Sequence, residues 1–212
     1  MQCRSSWILV ASSVWWLNVT VACSSLEATN SPSATDDTGG VETDTDTGPP
    51  PSGPAVFISE VVDHQDIANA KYIEIFNGTG AAIDLSQWSI ERYANGASAS
   101  PAIAQLTGTL APATAYVVAY NGGQYQSAFG TPPDQSDNAI SGNGDDTYVL
   151  VYDASMRVDI YGEVGTDGSG LSWDYEDKVA RRSPTVTGPN GTWQATEWTI
   201  TPGAAQATPG VR

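Results

Sequence analysis

Proton transfer, metal binding and sugar stacking each need particular side chains, and this sequence offers few candidates for any of them. Its one histidine is His64, which excludes a multi-histidine metal site or a two-histidine nuclease centre. A Ser-His-Asp arrangement would rest wholly on His64, and there is no Gly-x-Ser-x-Gly run to place a nucleophile. His64 lies between Asp63 and Gln65, after a strand-like run, so a surface role is expected of it. Acids are abundant: 24 against 8 bases, for a net charge of −16. With 18 acids from Ala55 onward, some close carboxylate pair is inevitable and does not by itself indicate glycosidase chemistry. No catalytic residue is assigned, and the expectation is a protein that is not an enzyme. The same acidity argues against gripping nucleic-acid phosphates or anionic headgroups by charge.

Three other groupings have chemical potential. The segment Asp134–Asp146 is rich in oxygen donors, and calcium takes roughly six to eight of these from flexible loops. Asp134, Asp137, Asp145 and Asp146 are therefore candidate calcium ligands, although Asn, Asp and Gly are also what turns are made of. No other cofactor is expected. Trp173, Tyr175 and Trp193 fall in a Gly-, Asp- and Pro-rich region. Exposed together they would form a platform for sugar rings; packed inward they would cover the end of a sandwich. Lys178, Arg181 and Arg182 form the one basic cluster. In so acidic a domain, pairing with neighbouring carboxylates is expected of them rather than nucleic-acid binding.

The two cysteines, Cys3 and Cys23, both precede the region of strand-like patterning. Disulfides, cysteine-based zinc sites and thiol catalysis are thereby excluded from residue 24 onward. Trp7 to Ala22 is uncharged and mostly apolar, too short for the ~20 residues of a spanning helix but suited to a signal peptide. It ends in Thr20-Val21-Ala22-Cys23, which resembles the bacterial lipobox, with Thr20 where an aliphatic residue is usual. The resemblance implies cleavage before Cys23 and a diacylglyceryl thioether on its sulfur. An ordinary secretory signal, or the segment kept as an uncleaved anchor, are the alternatives. Residues 1–22 are thus read as a lipoprotein-type signal and 23–54 as the lipidated cysteine with a linker. That linker is rich in Ser, Thr, Pro and Asp, and its composition predicts disorder. The implied address is the cell envelope, lipid-anchored, at the outer membrane or cell surface, with the membrane as partner.

Any folded domain must lie in residues 55–212. There, short β-rich runs alternate with Gly, Pro, Asn and Asp clusters, the pattern of an all-β sandwich or barrel. Strands are predicted at Val56–Val62, Lys71–Asn77, Leu85–Tyr93, Ile103–Leu110, Ala115–Tyr120, Tyr148–Asp153 and Val158–Glu163, with weaker ones at Val179–Arg182 and Glu197–Ile200. Tyr72, Glu74 and Phe76 alternate with Ile73 and Ile75 at period 2. Asn77-Gly78 and Asn95-Gly96 are predicted to supply positive φ at tight turns. A single helical turn is predicted at Tyr125–Phe129.

Several of these runs, in order, resemble the lamin tail domain, an immunoglobulin-like β-sandwich found in many exported bacterial proteins. They are Ile58-Ser59-Glu60, Tyr72-Ile73-Glu74-Ile75-Phe76-Asn77 and Ile83-Asp84-Leu85-Ser86-Gln87-Trp88-Ser89-Ile90. Leu110-Ala111-Pro112, Gly144-Asp145-Asp146, Val158-Asp159, Trp198 and Thr201-Pro202-Gly203 follow, so that the similarity spans 56–206. The resemblance implies a core role for Trp88 and a non-catalytic binding or scaffolding module, with a cell-surface polysaccharide or protein as partner. Carbohydrate binding through the three aromatics, or a small calcium-dependent hydrolase, are the rival readings.

Overall fold

The computed structural model describes residues 55–99 and 101–212. The signal 1–22, Cys23 and the linker 23–54 lie outside the described residues. Twelve strands follow in order among them: β1 Val56–Val62, β2 Tyr72–Asn77, β3 Ile83–Asp84, β4 Trp88–Tyr93, β5 Ala102–Gln105 and β6 Thr109–Leu110 come first. Then come β7 Ala115–Ala119, β8 Gln135–Ser136, β9 Thr147–Tyr152, β10 Met156–Tyr161, β11 Lys178–Arg182 and β12 Trp198–Pro202, with helix α1 at Gly122–Phe129 between β7 and β8.

Two sheets carry the fold. One has six strands in the order β12-β11-β1-β2-β7-β8; the other has four, β10-β9-β4-β5; a small pair, β3-β6, stands apart. Every pairing is antiparallel except β7 with β8. The facing surfaces share one core: Ile58, Ile73, Ile75 and Val118 from the larger sheet meet Trp88, Ile90 and Leu150 from the smaller. Trp88 is buried, as expected of a core aromatic on a central strand. The outcome is the all-β, immunoglobulin-like sandwich.

Alternation along β1 alone would put Ile58 and Glu60 on the same face. A bulge prevents this. Ile58 pairs with Ile75 and Glu60 with Glu74, leaving Ser59 as the extra residue. Ile58 and Val61 therefore both enter the core, while Glu60 turns to the outer face beside Glu74. Upstream of the bulge, β1 no longer pairs with β11, whose register with β1 covers Glu60 to Val62. The exposed edge is completed by side chains instead. The Ile58 amide donates to Asp159 Oδ2 at 2.7 Å, and Arg182 Nη1 donates to the Ile58 carbonyl at 3.2 Å. Arg182 and Asp159 pair at 2.5 Å, both essentially inaccessible to water.

The outer face of the larger sheet is covered too. Val62, Tyr72, Val117 and Val179 pack there against Tyr125 of α1. Period-2 alternation in β2 thus separates two buried faces rather than an inside from an outside. The helix is longer than the predicted turn, beginning at Gly122, with the Asn121 side chain accepting from the Gln124 amide as its cap. Gly122-Gly123 reads as a turn in sequence and hides this start. The run 103–110, predicted as one strand, is two strands in different sheets, broken around Gly108 at φ 81°. At Asn95-Gly96 both residues have positive φ, as predicted. Asn77-Gly78 does not use that geometry. Asn77 is buried and its Nδ2 donates to the carbonyls of Ala81, Leu110 and Ala111. A Cβ on Gly78 would approach the Ala55 carbonyl at 3.1 Å, so close packing explains that glycine.

Candidate functional site

The aromatic candidates do not form an exposed platform. Trp173 and Tyr175 are each 1% exposed, and Trp193 is half-buried against the core. The segment after β10 folds back over the end of the sandwich, where Tyr161 Oη donates to the Trp173 carbonyl at 2.8 Å. Tyr161 meets Tyr175, Trp193 and Trp198 edge-on, at ring-centroid distances of 5.5, 5.0 and 4.8 Å. With Trp173 and Tyr175 buried, the three rings do not form one exposed flat face for a sugar. The sugar-platform reading of Trp173, Tyr175 and Trp193 is corrected accordingly.

The calcium candidates diverge. Asp134 Oδ2 accepts from the Val117 amide at 2.8 Å, and Asp137 Oδ1 from the Ala139 amide at 2.8 Å. Asp146 is buried, pairs with Arg92 at 2.7 Å and accepts from the Asn95 amide. Asp145 alone points to a small polar depression of about 190 Å³, shared with Asn143, Ser169, Asp174 and Glu176. Burial, and then the neighbouring Asp146 charge, raise its carboxyl above the usual range. Asp174 there already accepts from the amides of Gly170 and Glu176 and pairs with Lys178 at 3.2 Å. Among the described residues, no three acidic, histidine or cysteine side chains converge as a metal site. The candidate ligands Asp134, Asp137, Asp145 and Asp146 are thus not brought together at one site among the described residues. Asp134, Asp137 and Asp146 each hold their own stretch of backbone or ion pair, while the Asp145 carboxylate meets only Ser169 Oγ, at 3.4 Å.

His64 is likewise structural. Its Nδ1 accepts from the amides of Asp66 and Ile67, both at 3.2 Å, and its ring stands edge-on to Phe129 at 5.7 Å. The basic cluster pairs with acids as expected. Lys178 meets Asp174, Arg181 meets Glu60 at 3.1 Å, and Arg182 meets Asp159 and Glu197, both at 2.5 Å.

The concave site that emerges was not anticipated from the sequence. It is a cavity of about 290 Å³ on the outer face of the larger sheet, where the C-terminal residues cross β1, β2 and β11. Its floor is the register pair Glu60–Glu74, each 1% exposed. Glu60 accepts from Tyr72 Oη, Arg181 Nε and the Thr208 amide. Glu74 accepts from Ser59 Oγ at 2.6 Å and from the Gly210 amide at 2.7 Å. Loss of solvation pushes the Glu74 carboxyl up to about 7, and the Glu60 charge adds to this, against the hydrogen bonds from Ser59 and Gly210 and the charge of Arg181. Arg212 closes one side, its guanidinium 4.3 Å from the Phe57 ring centroid and 4.9 Å from that of Phe76. Glutamates on an alternating strand normally signal a solvated face. The bulge and the crossing C-terminal segment, which bury these two, leave no local signature.

The Lamin Tail Domain family model matches residues 49–165, more than half of the 212 residues. No curated protein matches the sequence. The match stops before β11 and β12, which the wider resemblance over 56–206 had included, yet β11 lies directly against β1 in the same sheet. The structural unit therefore runs on to the C-terminal residues, although the recognisable motifs end earlier. Two-layer antiparallel architecture, a core tryptophan on β4 and the family match agree, and the chain belongs to the lamin tail domain family, whose fold is immunoglobulin-like and non-enzymatic.

Proposed function

We propose that the protein is an exported lipoprotein, anchored through Cys23, that displays its lamin tail domain as a non-catalytic binding or scaffolding module at the cell surface. The observation that carries the non-catalytic reading is how the buried acids are used. Glu60, Glu74, Asp146 and Asp159 each accept from backbone amides, and Glu60, Asp146 and Asp159 also pair with arginines. Proton chemistry needs a carboxylate free to meet substrate, and these four are engaged in holding strands together. The sugar-platform alternative loses its support with the burial of Trp173 and Tyr175. The anchor reading rests on the short apolar stretch ending at Ala22-Cys23 and on the absence of any later cysteine. Two acyl chains hold stably where one holds reversibly, at about 0.8 kcal/mol per buried methylene. An acidic linker then keeps an acidic domain off an anionic surface.

The test is fractionation of cells expressing the full-length chain and its Cys23→Ser variant. The proposal expects wild type in the membrane fraction, and the variant either released or left as a longer precursor. Wild-type protein that is fully soluble and begins at another residue would overturn it.

A further inference from the structure

We propose that Thr208–Arg212 is a releasable strap over the outer face of the six-stranded sheet, fastened by the Glu60–Glu74 pair and let go as Glu74 ionises. The fastening is specific. Thr208 donates its amide to both Glu60 oxygens, at 3.2 and 3.3 Å, and Gly210 donates its amide to Glu74. Just upstream, Arg181 donates to the Gln206 carbonyl. At the far end Arg212 lies over Phe57 and Phe76 and donates to the carbonyls of Ser183 and Val186.

The same contacts carry an electrostatic conflict. Glu60 and Glu74 sit directly opposite each other on neighbouring strands, where like charges repel. With the strap shut, both are sealed from water. The groups facing them are Ser59 on β1, Tyr72 on β2, Arg181 and Arg182 on β11, Tyr125 on α1 and Arg212 on the strap. Burial raises the hydroxyl groups of Tyr72 and Tyr125, so both stay protonated around neutral pH. Arg212 brings its own penalty, because its Nε is buried without an acceptor. His64 and Asp66 line a neighbouring hollow with Gly203, Ala204, Ala205 and Ala207 just before the strap and with Pro209 within it.

The direction follows from linkage. The shut state holds the Glu74 proton up to about pH 7, whereas a solvated glutamate gives it up near 4.5. Closure is therefore strongest below pH 4.5 and weakens as pH rises through 7. If release returns Glu74 to water, the opening constant rises about 25-fold between pH 5.5 and 8.0. Opening uncovers the cavity walls and the rings of Phe57 and Phe76.

The readout is amide exchange of Thr208 and Gly210 in the full-length chain, expressed as protection factors so that intrinsic exchange at each pH divides out. Protection at both amides is expected to fall about 25-fold from pH 5.5 to 8.0, while Ile73 in the core keeps its own. Glu74→Gln should flatten the dependence; His64→Gln should leave it intact. Constant protection in the wild type, the same fall in Glu74→Gln, or its loss in His64→Gln would each overturn the proposal. A second measurement does not depend on the Gln variant folding. By reciprocity, removing Thr208–Arg212 should move the carboxyl-carbon NMR midpoint of Glu74 from near 7 toward 4.5. A midpoint unmoved by that deletion contradicts the strap.

Discussion

Asp159 and Arg182 show how much one pair of side chains does in this sandwich. Between them they stand in for a missing strand, accepting from the Ile58 amide and donating to its carbonyl where β1 has left β11. Asp159 Oδ1 also accepts from the Asn190 amide at 2.7 Å, tying the β12 approach to β10. Removing the carboxylate takes one of the two acids that pair with the buried Arg182 guanidinium, leaving Glu197, and leaves the Ile58 and Asn190 amides without their acceptor. Asp159→Ala should cost about 3–5 kcal/mol, the range for breaking one side of a buried ion pair. Urea denaturation of variant and wild type measures it, and a loss below about 1 kcal/mol would show that water can replace the carboxylate. Trp88 makes the complementary apolar case. It is fully enclosed between the sheets, with Tyr152 against it at 5.0 Å between ring centroids. Trp88→Ala should cost about 3–5 kcal/mol through lost burial and a residual cavity. The same denaturation series reads it.

Among the elements, β11 and β12 matter most to the account, because they lie beyond the stretch that carries the family match. A fragment of residues 55–165 would lose Arg182 from Asp159, Arg181 from Glu60, and Trp173, Tyr175 and Trp198 from the core. That fragment should give no cooperative unfolding transition. Residues 55–212 should unfold cooperatively in excess EDTA and reductant, since they contain no cysteine and their strands close on one core. Circular dichroism during thermal unfolding distinguishes the two, and a cooperative 55–165 fragment would show that β11 is dispensable. Strand identity was largely legible in the sequence. β1 follows the predicted bounds, and β2, β7, β9, β10 and β11 fall within a residue or two of theirs, because apolar and β-branched runs bounded by turn residues are local signals. What was not legible depends on distant chain. The Ser59 bulge, the burial of Glu60 and Glu74, and the inward turn of Trp173 involve partners 12 or more residues away. Gly122-Gly123 concealed the start of α1 for the opposite reason, since local propensity there argues against a helix that tertiary packing imposes.

For the whole molecule, charge is handled in two ways. Within the domain, the buried acids meet Arg92, Arg181 and Arg182 or backbone amides, so part of the negative excess is internal framework. The rest leaves the protein strongly acidic, with a net charge of −16, which fits the proposal of a module displayed at a distance from an anionic membrane. Among the described residues, no helix is long and apolar enough to cross a membrane. Membrane attachment in this account rests on the proposed lipid at Cys23. The most direct measurement is the mass of the N-terminal peptide of mature protein extracted from cell membranes. The account predicts a peptide beginning at Cys23 and carrying a diacylglyceryl group on its sulfur. An unmodified N-terminus at any other residue would contradict it.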